Sequence, residues 1–113
     1  MHEMGIAQAI LEHALAAAQS NGITRIAKLQ LKIGVFSGVV DDALRFSFEV
    51  ASQGTKAEGA VLEVDNVPLR VRCIDCGREK EIQPILFQCP SCGSRSVNIL
   101  TGQELSLDSI EGE

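Results

Sequence analysis

The stretch from Cys73 to Gly93, CIDCGREKEIQPILFQCPSCG, contains all four cysteines of this 113-residue chain. It holds two matching Cys-x-x-Cys-Gly motifs, and twelve residues separate Cys76 from Cys89. Two cysteines at this spacing reach one ion through a tight turn, and the glycine that follows leaves room for backbone amides to approach the sulfur. Four thiolates in a closed site are the ligands that tetrahedral Zn²⁺ prefers. The stretch therefore predicts one structural zinc ion, bound by Cys73, Cys76, Cys89 and Cys92.

Other uses of four cysteines are open at this point. A redox-active thiol pair is typically a single Cys-x-x-Cys near a βαβ pattern, whereas this chain has two motifs. An iron–sulfur centre also takes four cysteines, and four free thiols are the remaining alternative. The size of the segment favours zinc, because a lobe of fewer than ~40 residues usually needs a metal, disulfides or a partner to fold. A structural zinc ion can contribute roughly 10–16 kcal/mol of apparent binding free energy.

Two amphipathic helices are predicted on the N-terminal side of the cysteines. The first covers about Met4–Ser20, where apolar residues recur at helical spacing, and Asn21-Gly22 is its predicted stop. The second follows Asp41 and Asp42, whose negative charges favour a helix start, and Ser37 is available as its cap.

Strands are predicted where apolar and polar residues alternate: at Leu29–Val35, with a basic polar face, at Ala60–Val67, and around Leu105 and Leu107. We expect the last strand to return to the first sheet, which makes the cysteine segment an insertion. The predicted fold class is α/β, with two helices packed on a small mixed sheet and an inserted zinc-ribbon lobe. The predicted lobes are residues 1–67 plus 101–113 for the α/β part and residues 68–100 for the zinc ribbon.

Composition argues against a nucleic-acid partner. The net charge is −5, with fifteen acidic residues against ten scattered lysines and arginines, and the chain has no Tyr or Trp for base stacking. The apolar stretch Ile6–Ala18 is interrupted by polar residues and is too short to span a bilayer. The first five residues lack the basic start of a secretory leader, so we expect a cytoplasmic protein.

The first residues, Met1-His2-Glu3, offer a second kind of metal site. A free α-amine has a pKa of about 7.7–8.0 and is partly deprotonated near neutral pH. The Met1 amine, the His2 amide nitrogen and the His2 Nδ1 can close two adjacent chelate rings, and Ni²⁺ and Cu²⁺ favour such planar nitrogen donors. Glu3 can supply the fourth donor, as an amide nitrogen or as a carboxylate. An ordinary solvated terminus is the alternative, and these residues alone leave both open. The other histidine, His13, is interpreted as an exposed or edge-packed residue of the first helix.

The chain resembles the HypA/HybF family of hydrogenase nickel-incorporation (maturation) proteins over essentially its whole length. The residues that carry this resemblance are Met1-His2-Glu3, Lys32-Ile33-Gly34 with Ser37 and Gly38, Ala43–Glu49, Glu58-Gly59-Ala60, the two cysteine motifs, and Gly102-Gln103-Glu104-Leu105. An N-terminal Met-His-Glu followed by two Cys-x-x-Cys pairs within about this length is highly specific for the family.

The resemblance implies a nickel metallochaperone rather than an enzyme. Such proteins deliver Ni²⁺ to the [NiFe]-hydrogenase large subunit together with a GTPase accessory protein, and some members also supply urease maturation. The resemblance makes His2 the essential nickel ligand, places Glu3 in the same motif and assigns zinc to the cysteines. Some relatives add a later histidine as a nickel ligand, whereas both histidines here precede residue 14, so the fourth nickel ligand is open.

Two other function classes compete with nickel delivery. One is a zinc-ribbon module that binds nucleic acid or a transcription complex, and the other is a redox protein. Enzymatic activity has little support, because the chain shows no Ser/His/Asp set, no phosphate-binding glycine loop and no open catalytic zinc site.

Overall fold

The computed structural model describes residues 3–113, and these form two compact units. The first unit combines the segment that ends at Lys32 with Gly38–Asp65 and Ser106–Glu113; the second combines Ile33–Ser37 with Asn66–Leu105. The predicted division into residues 1–67 plus 101–113 and residues 68–100 stays a prediction.

Two helices and six strands make up the described chain. In chain order they are α1 (Glu3–Ser20), β1 (Ile26–Gly34), α2 (Asp41–Ser52), β2 (Val61–Val67), β3 (Arg70–Cys73), β4 (Glu79–Glu81), β5 (Val97–Thr101) and β6 (Leu105–Gly112).

In the first unit, α1 packs against α2. Three small residues of α1, Ala7, Ala14 and Ala18, have no exposed surface, so the helix presents a flat face that permits close approach. The predicted start at Met4 differs by one residue from the observed start at Glu3. No helix within residues 3–113 is both long enough and apolar enough to cross a bilayer.

The helix α2 begins at Asp41, with Val40 in the N-cap position. No side chain caps this end, so the prediction that Ser37 caps α2 is wrong. Val40 holds the extended backbone that an N-cap requires, but its side chain has no hydrogen-bond acceptor. The carboxylates of Asp41 and Asp42 lie in the first turn, where the helix dipole favours them as predicted.

The first sheet has the strand order β2-β1-β6. Backbone hydrogen bonds join the end of β1 to the end of β2, from the Val35 amide to the Val67 carbonyl, whereas the start of β1 meets the end of the chain, from the Arg25 amide to the Glu113 carbonyl. The sheet is therefore mixed, with β2 parallel and β6 antiparallel to β1, and the predicted return of the last strand is confirmed.

The strand β1 buries one face and exposes the other, as its alternation predicts. Leu29, Leu31 and Ile33 are at most 5% exposed. On the polar face, the Lys28 ammonium lies 3.4 Å from carboxylates on both neighbouring strands, Glu63 of β2 and Glu111 of β6. The hydrogen bonds that the Lys28 ammonium donates to these two carboxylates raise the pKa of Lys28. The predicted basic face is thus neutralised by acids of the flanking strands.

The second unit is built on an antiparallel sheet of order β4-β3-β5. Its small core consists of buried Leu69, Val71 and Ile82, with three partly buried residues packed against them, Phe87, Val97 and Ile99. The segment after β1 belongs to this unit. The Phe36 amide donates to the Gly102 carbonyl at 2.8 Å, and the Phe36 ring stacks on the Phe87 ring with 5.4 Å between the ring centroids.

Candidate metal centre

The structure brings all four predicted cysteines together, with their sulfur atoms within 4.8 Å of one another. The Sγ atoms of Cys73 and Cys92 are 3.5 Å apart, and those of Cys76 and Cys89 are 3.7 Å apart. Four sulfurs at about 2.3 Å from one tetrahedral ion would be separated by roughly 3.8 Å. A disulfide would require about 2.05 Å, and all four residues are free thiols. The geometry therefore fits one four-coordinate ion.

The two motifs fold in the same way. The Gly77 amide donates to the Cys73 carbonyl at 2.9 Å, and the Gly93 amide donates to the Cys89 carbonyl at 2.8 Å. Both glycines have a left-handed backbone, with φ of 75° and 76°, which a residue with a side chain rarely adopts. The glycine of each motif is thus what allows the chain to fold back around the first sulfur.

The first cysteine of each motif is buried, and backbone amides point at its sulfur. Amide hydrogen bonds, that of Cys76 above all, lower the pKa of Cys73. For Cys89 the amides of Cys92 and then Ser91 lower the pKa to about 6, against the opposing effect of burial. Both first cysteines are therefore predisposed to be thiolates, the form that binds metal.

The second cysteine of each motif behaves in the opposite way. The Ser94 amide favours the thiolate of Cys92, but the neighbouring Cys73 sulfur and burial together raise the pKa of Cys92 to about 12. For Cys76 the amide of Arg78 likewise favours the thiolate, and desolvation with the adjacent sulfurs raises the pKa. Negative charge is thus divided between the two motifs rather than concentrated in one.

Side chains next to the cysteines join the motifs, and sequence reasoning missed them. The Ser94 hydroxyl donates to the Asp75 carboxylate, and the Arg78 guanidinium lies 3.5 Å from the Ser91 hydroxyl. Their only sequence signal is position, since Asp75 lies inside the first motif and Ser94 follows the second. These contacts hold the motifs together outside the ligand set.

Of the predicted nickel ligands, the structure describes Glu3 alone, since Met1 and His2 lie outside the described residues. Glu3 is half-buried in the first turn of α1. The exposed His13 lies ten residues further along, about 15 Å at 1.5 Å per residue, too far to share an ion with Glu3. Within residues 3–113 the four cysteines are the one group of three or more His, Cys, Asp or Glu side chains placed to hold a metal.

Comparison with known families and curated proteins gives one consistent match. A family model described as hydrogenase/urease nickel incorporation, metallochaperone, hypA matches residues 1–112. The chain is 45% identical to the hydrogenase maturation factor HypA of Roseiflexus sp. strain RS-1, covering 100% of this chain and 93% of the relative. It is also 45% identical to the factor of the same name from Chloroflexus aurantiacus, over 98% of both chains.

Solved structures resemble this fold over its whole length. The solution structure of the Ni metallochaperone HypA from Helicobacter pylori superposes with a TM-score of 0.69, at 23% identity, over 99% of this chain and 97% of that one. A second solution structure, of a HypA protein, gives a TM-score of 0.72 at 23% identity. The predicted fold class is confirmed: two helices, small sheets and a four-cysteine site.

Proposed function

This chain belongs to the HypA family of hydrogenase/urease nickel-incorporation metallochaperones, and on that premise we propose that it carries Ni²⁺ to the large subunit of a [NiFe]-hydrogenase in the cytoplasm. The single observation that supports this most is the family match over residues 1–112, which includes both the N-terminal motif and the cysteine pairs. A GTPase accessory protein is the proposed partner in delivery, and urease maturation factors are a second class of recipient.

The proposed nickel ligands are the Met1 amine, the His2 amide and imidazole, and Glu3. The start of α1 at Glu3 suits this role, because the first four amides of an α-helix have no acceptor within the helix. The Glu3 amide is therefore uncommitted to the helix. The Glu3 carboxylate has no hydrogen bond or ion pair with any of residues 3–113, so either of its donors can complete the planar set.

The proposed role of the four cysteines is to hold a structural zinc ion. Their closed set of four sulfurs matches the tetrahedral preference of zinc, whereas nickel favours planar nitrogen donors. Ligand type and geometry therefore direct zinc to the cysteines and nickel to the N-terminal residues. Delivery requires a site that can release its ion. The proposed nickel site, at the start of the chain, can open to a recipient. The cysteine site is more enclosed, because Cys73 and Cys89 are at most 2% exposed.

The chain offers a matched pair for testing the nickel site, because it has two histidines. His2→Ala should lower nickel affinity at least a hundredfold, while His13→Ala should leave the affinity unchanged. Calorimetric titration with Ni²⁺ measures both, and metal analysis should find one zinc per chain in each variant. Equal nickel affinity in His2→Ala and the parent protein would remove His2 from the site.

Moving a peptide tag from one end of the chain to the other distinguishes the contribution of the Met1 amine to nickel binding from that of the His2 imidazole. An N-terminal extension converts the Met1 amine into an amide, so it should impair nickel binding, whereas the same extension after Glu113 should not. Nickel binding should also weaken as the pH falls, because an imidazole titrates near ~6.5 and must be neutral to coordinate. Identical titration curves for the two tagged forms would show that the amine is not a ligand.

A further inference from the structure

The solvent-facing side of α2 carries an exposed apolar pair with two acids alongside it. Phe46 is four residues from both Asp42 and Val50 and three residues from Glu49, so the three are its neighbours on one helix face. Phe46 is 67% exposed and Val50 is 41% exposed. The opposite side of α2 holds the core residues, so exposure of this pair serves no packing role in the first unit. We call these four residues the α2 stripe.

The α2 stripe has uncompensated negative charge. The carboxylates of Asp42 and Glu49 make no ion pair with any of residues 3–113. The cation closest in sequence, Arg45, is already engaged: its Nε donates to Asp41 at 2.9 Å and its Nη1 donates to the Leu62 carbonyl at 2.7 Å. Two carboxylates that form no ion pair within residues 3–113 therefore lie along one edge of the apolar pair.

A cavity of about 320 Å³ continues the surface from α2 to the edge strand β2. Glu49 belongs both to the stripe and to the wall of this cavity, and the opposite wall includes Val61, which is 57% exposed. Glu49 therefore connects the cavity to the apolar pair, although Phe46 and Val50 do not line the cavity themselves. Single exposed apolar residues are ordinary on protein surfaces, whereas contiguous exposed apolar surface marks interaction sites.

We propose that the α2 stripe and the adjoining cavity dock an amphipathic segment of a partner protein whose apolar side chains are flanked by Lys or Arg. The apolar residues of that segment cover Phe46 and Val50, and its cations pair with Asp42 and Glu49. A second copy of this chain suits the surface poorly, because it would bring the same two acids against each other. The proposal is independent of nickel, since none of these residues belongs to the nickel motif.

The test uses the zinc-loaded full chain and two fluorescein-labelled helical peptides. Both peptides carry leucines four residues apart; one flanks them with lysines and the other with glutamates. We expect fluorescence anisotropy to show at least tenfold tighter binding of the lysine peptide. Raising the salt from about 50 mM to about 500 mM should weaken that binding, because exposed charges are then screened.

Variants of the stripe give the decisive result. Phe46→Ser should weaken binding of the lysine peptide at least tenfold, and the double variant Asp42→Lys with Glu49→Lys should reverse the preference towards the glutamate peptide. Matched controls are Ile85→Ser, at a residue 91% exposed in the second unit, and Glu12→Lys on the exposed side of α1. Both controls should bind like the parent protein. All these side chains are exposed, so circular dichroism and zinc content should be unchanged.

Two results would overturn the proposal. One is binding of the lysine peptide that Phe46→Ser leaves unchanged or that the controls weaken equally, since that would make the attraction a property of the acidic chain as a whole. The other is concentration-dependent dimerisation in analytical ultracentrifugation that Phe46→Ser abolishes, because it would assign the stripe to a second copy. Neither result bears on nickel binding by His2, so the two proposals fail separately.

Discussion

The four thiols of the metal centre differ in how readily each loses its proton. Near pH 7.5, Cys89 is largely a thiolate because its pKa is about 6, whereas Cys92, with a pKa of about 12, keeps its proton. In the first motif the pKa of Cys73 is likewise lowered and the pKa of Cys76 is raised. Because zinc binds thiolates, the protons that remain on the second cysteine of each motif are the ones that zinc must displace.

This division predicts the number of protons released when zinc binds the metal-free protein. Near pH 7.5 we expect clearly fewer than four protons per zinc, because Cys89 is already largely a thiolate, and weaker zinc binding as the pH falls, because protons and zinc compete for the same sulfurs. Calorimetry in buffers of different ionisation enthalpy counts the protons directly. Release of nearly four would mean that the metal-free site has lost the amide hydrogen bonds to Cys73 and Cys89.

At the scale of elements, the end of β1 and the loop before β6 approach so closely that only glycine fits. A Cβ atom on Gly34 would lie 2.0 Å from the Gly102 carbonyl oxygen, and backbone cannot move aside as a side chain can. Gly34 also donates its amide to the Glu104 carbonyl at 2.8 Å, which fixes the approach.

Gly34→Ala should therefore destabilise the protein by about 1–3 kcal/mol, the usual cost of overpacking. Gly5 is the matched control, since it lies in α1 with no atom within 4 Å of an added Cβ. Gly5→Ala should instead stabilise the protein by roughly 0.5–1 kcal/mol, because alanine favours the helix. Urea denaturation monitored by circular dichroism measures both, and equal effects of the two substitutions would contradict the close approach.

The uncapped start of α2 gives a second prediction at this scale. Val40→Ser should add a hydrogen bond to a free amide of the first turn and stabilise the protein by about 1 kcal/mol. Val40→Ala is the control, because alanine caps no better than valine. A rise in melting temperature for serine but not for alanine would confirm the geometry, whereas no difference between them would contradict it.

The spacing of apolar residues along the chain predicts the helices and strands well. The features that it fails to predict depend on contacts between residues distant in sequence. The periodicity of α1 and the alternation of β1 follow from burial on one face, so they can be read from neighbouring residues. The capping role predicted for Ser37 is wrong, because α2 begins at Asp41 and Val40 occupies the N-cap position. The assignment of Ile33–Ser37 to that unit rests on hydrogen bonds to residues more than thirty positions away.

The metal centre also has features that the local sequence predicts and features that it does not. The motif spacing predicts that the four sulfurs meet, because each pair is local and the glycines permit the turn. The link between Asp75 and Ser94 has no such signal, since it forms only once the two motifs face each other. The proposed nickel ligands Met1 and His2 lie outside the described residues, so that proposal rests on the sequence motif.

For the whole molecule, the two units depend on metal to different degrees. The second unit has three buried apolar residues in its core cluster, Leu69, Val71 and Ile82, so we expect the proposed zinc ion to supply much of the stability of this unit. The first unit buries the apolar faces of two helices and β1, and it needs no metal to do so.

A zinc chelator should therefore unfold the second unit and leave the first one folded. Hydrogen exchange should show loss of protection over residues 68–100 and retained protection in α1 and β1, and limited proteolysis should cut inside the same range. Cys73→Ser should have the same effect without a chelator. Uniform loss of protection across the chain would contradict the predicted independence of the two lobes.

The separation of 3.5–3.7 Å between paired sulfurs distinguishes this protein from small domains stapled by disulfides. In the proposed zinc site the ion itself cross-links the chain, so we expect reducing agents to protect the site and oxidants to attack it. A thiol reductant in the buffer should thus prolong the retention of zinc. Mild oxidation should release zinc at temperatures at which the reduced protein still holds it. We therefore expect oxidation to act first on the second unit, which contains all four cysteines.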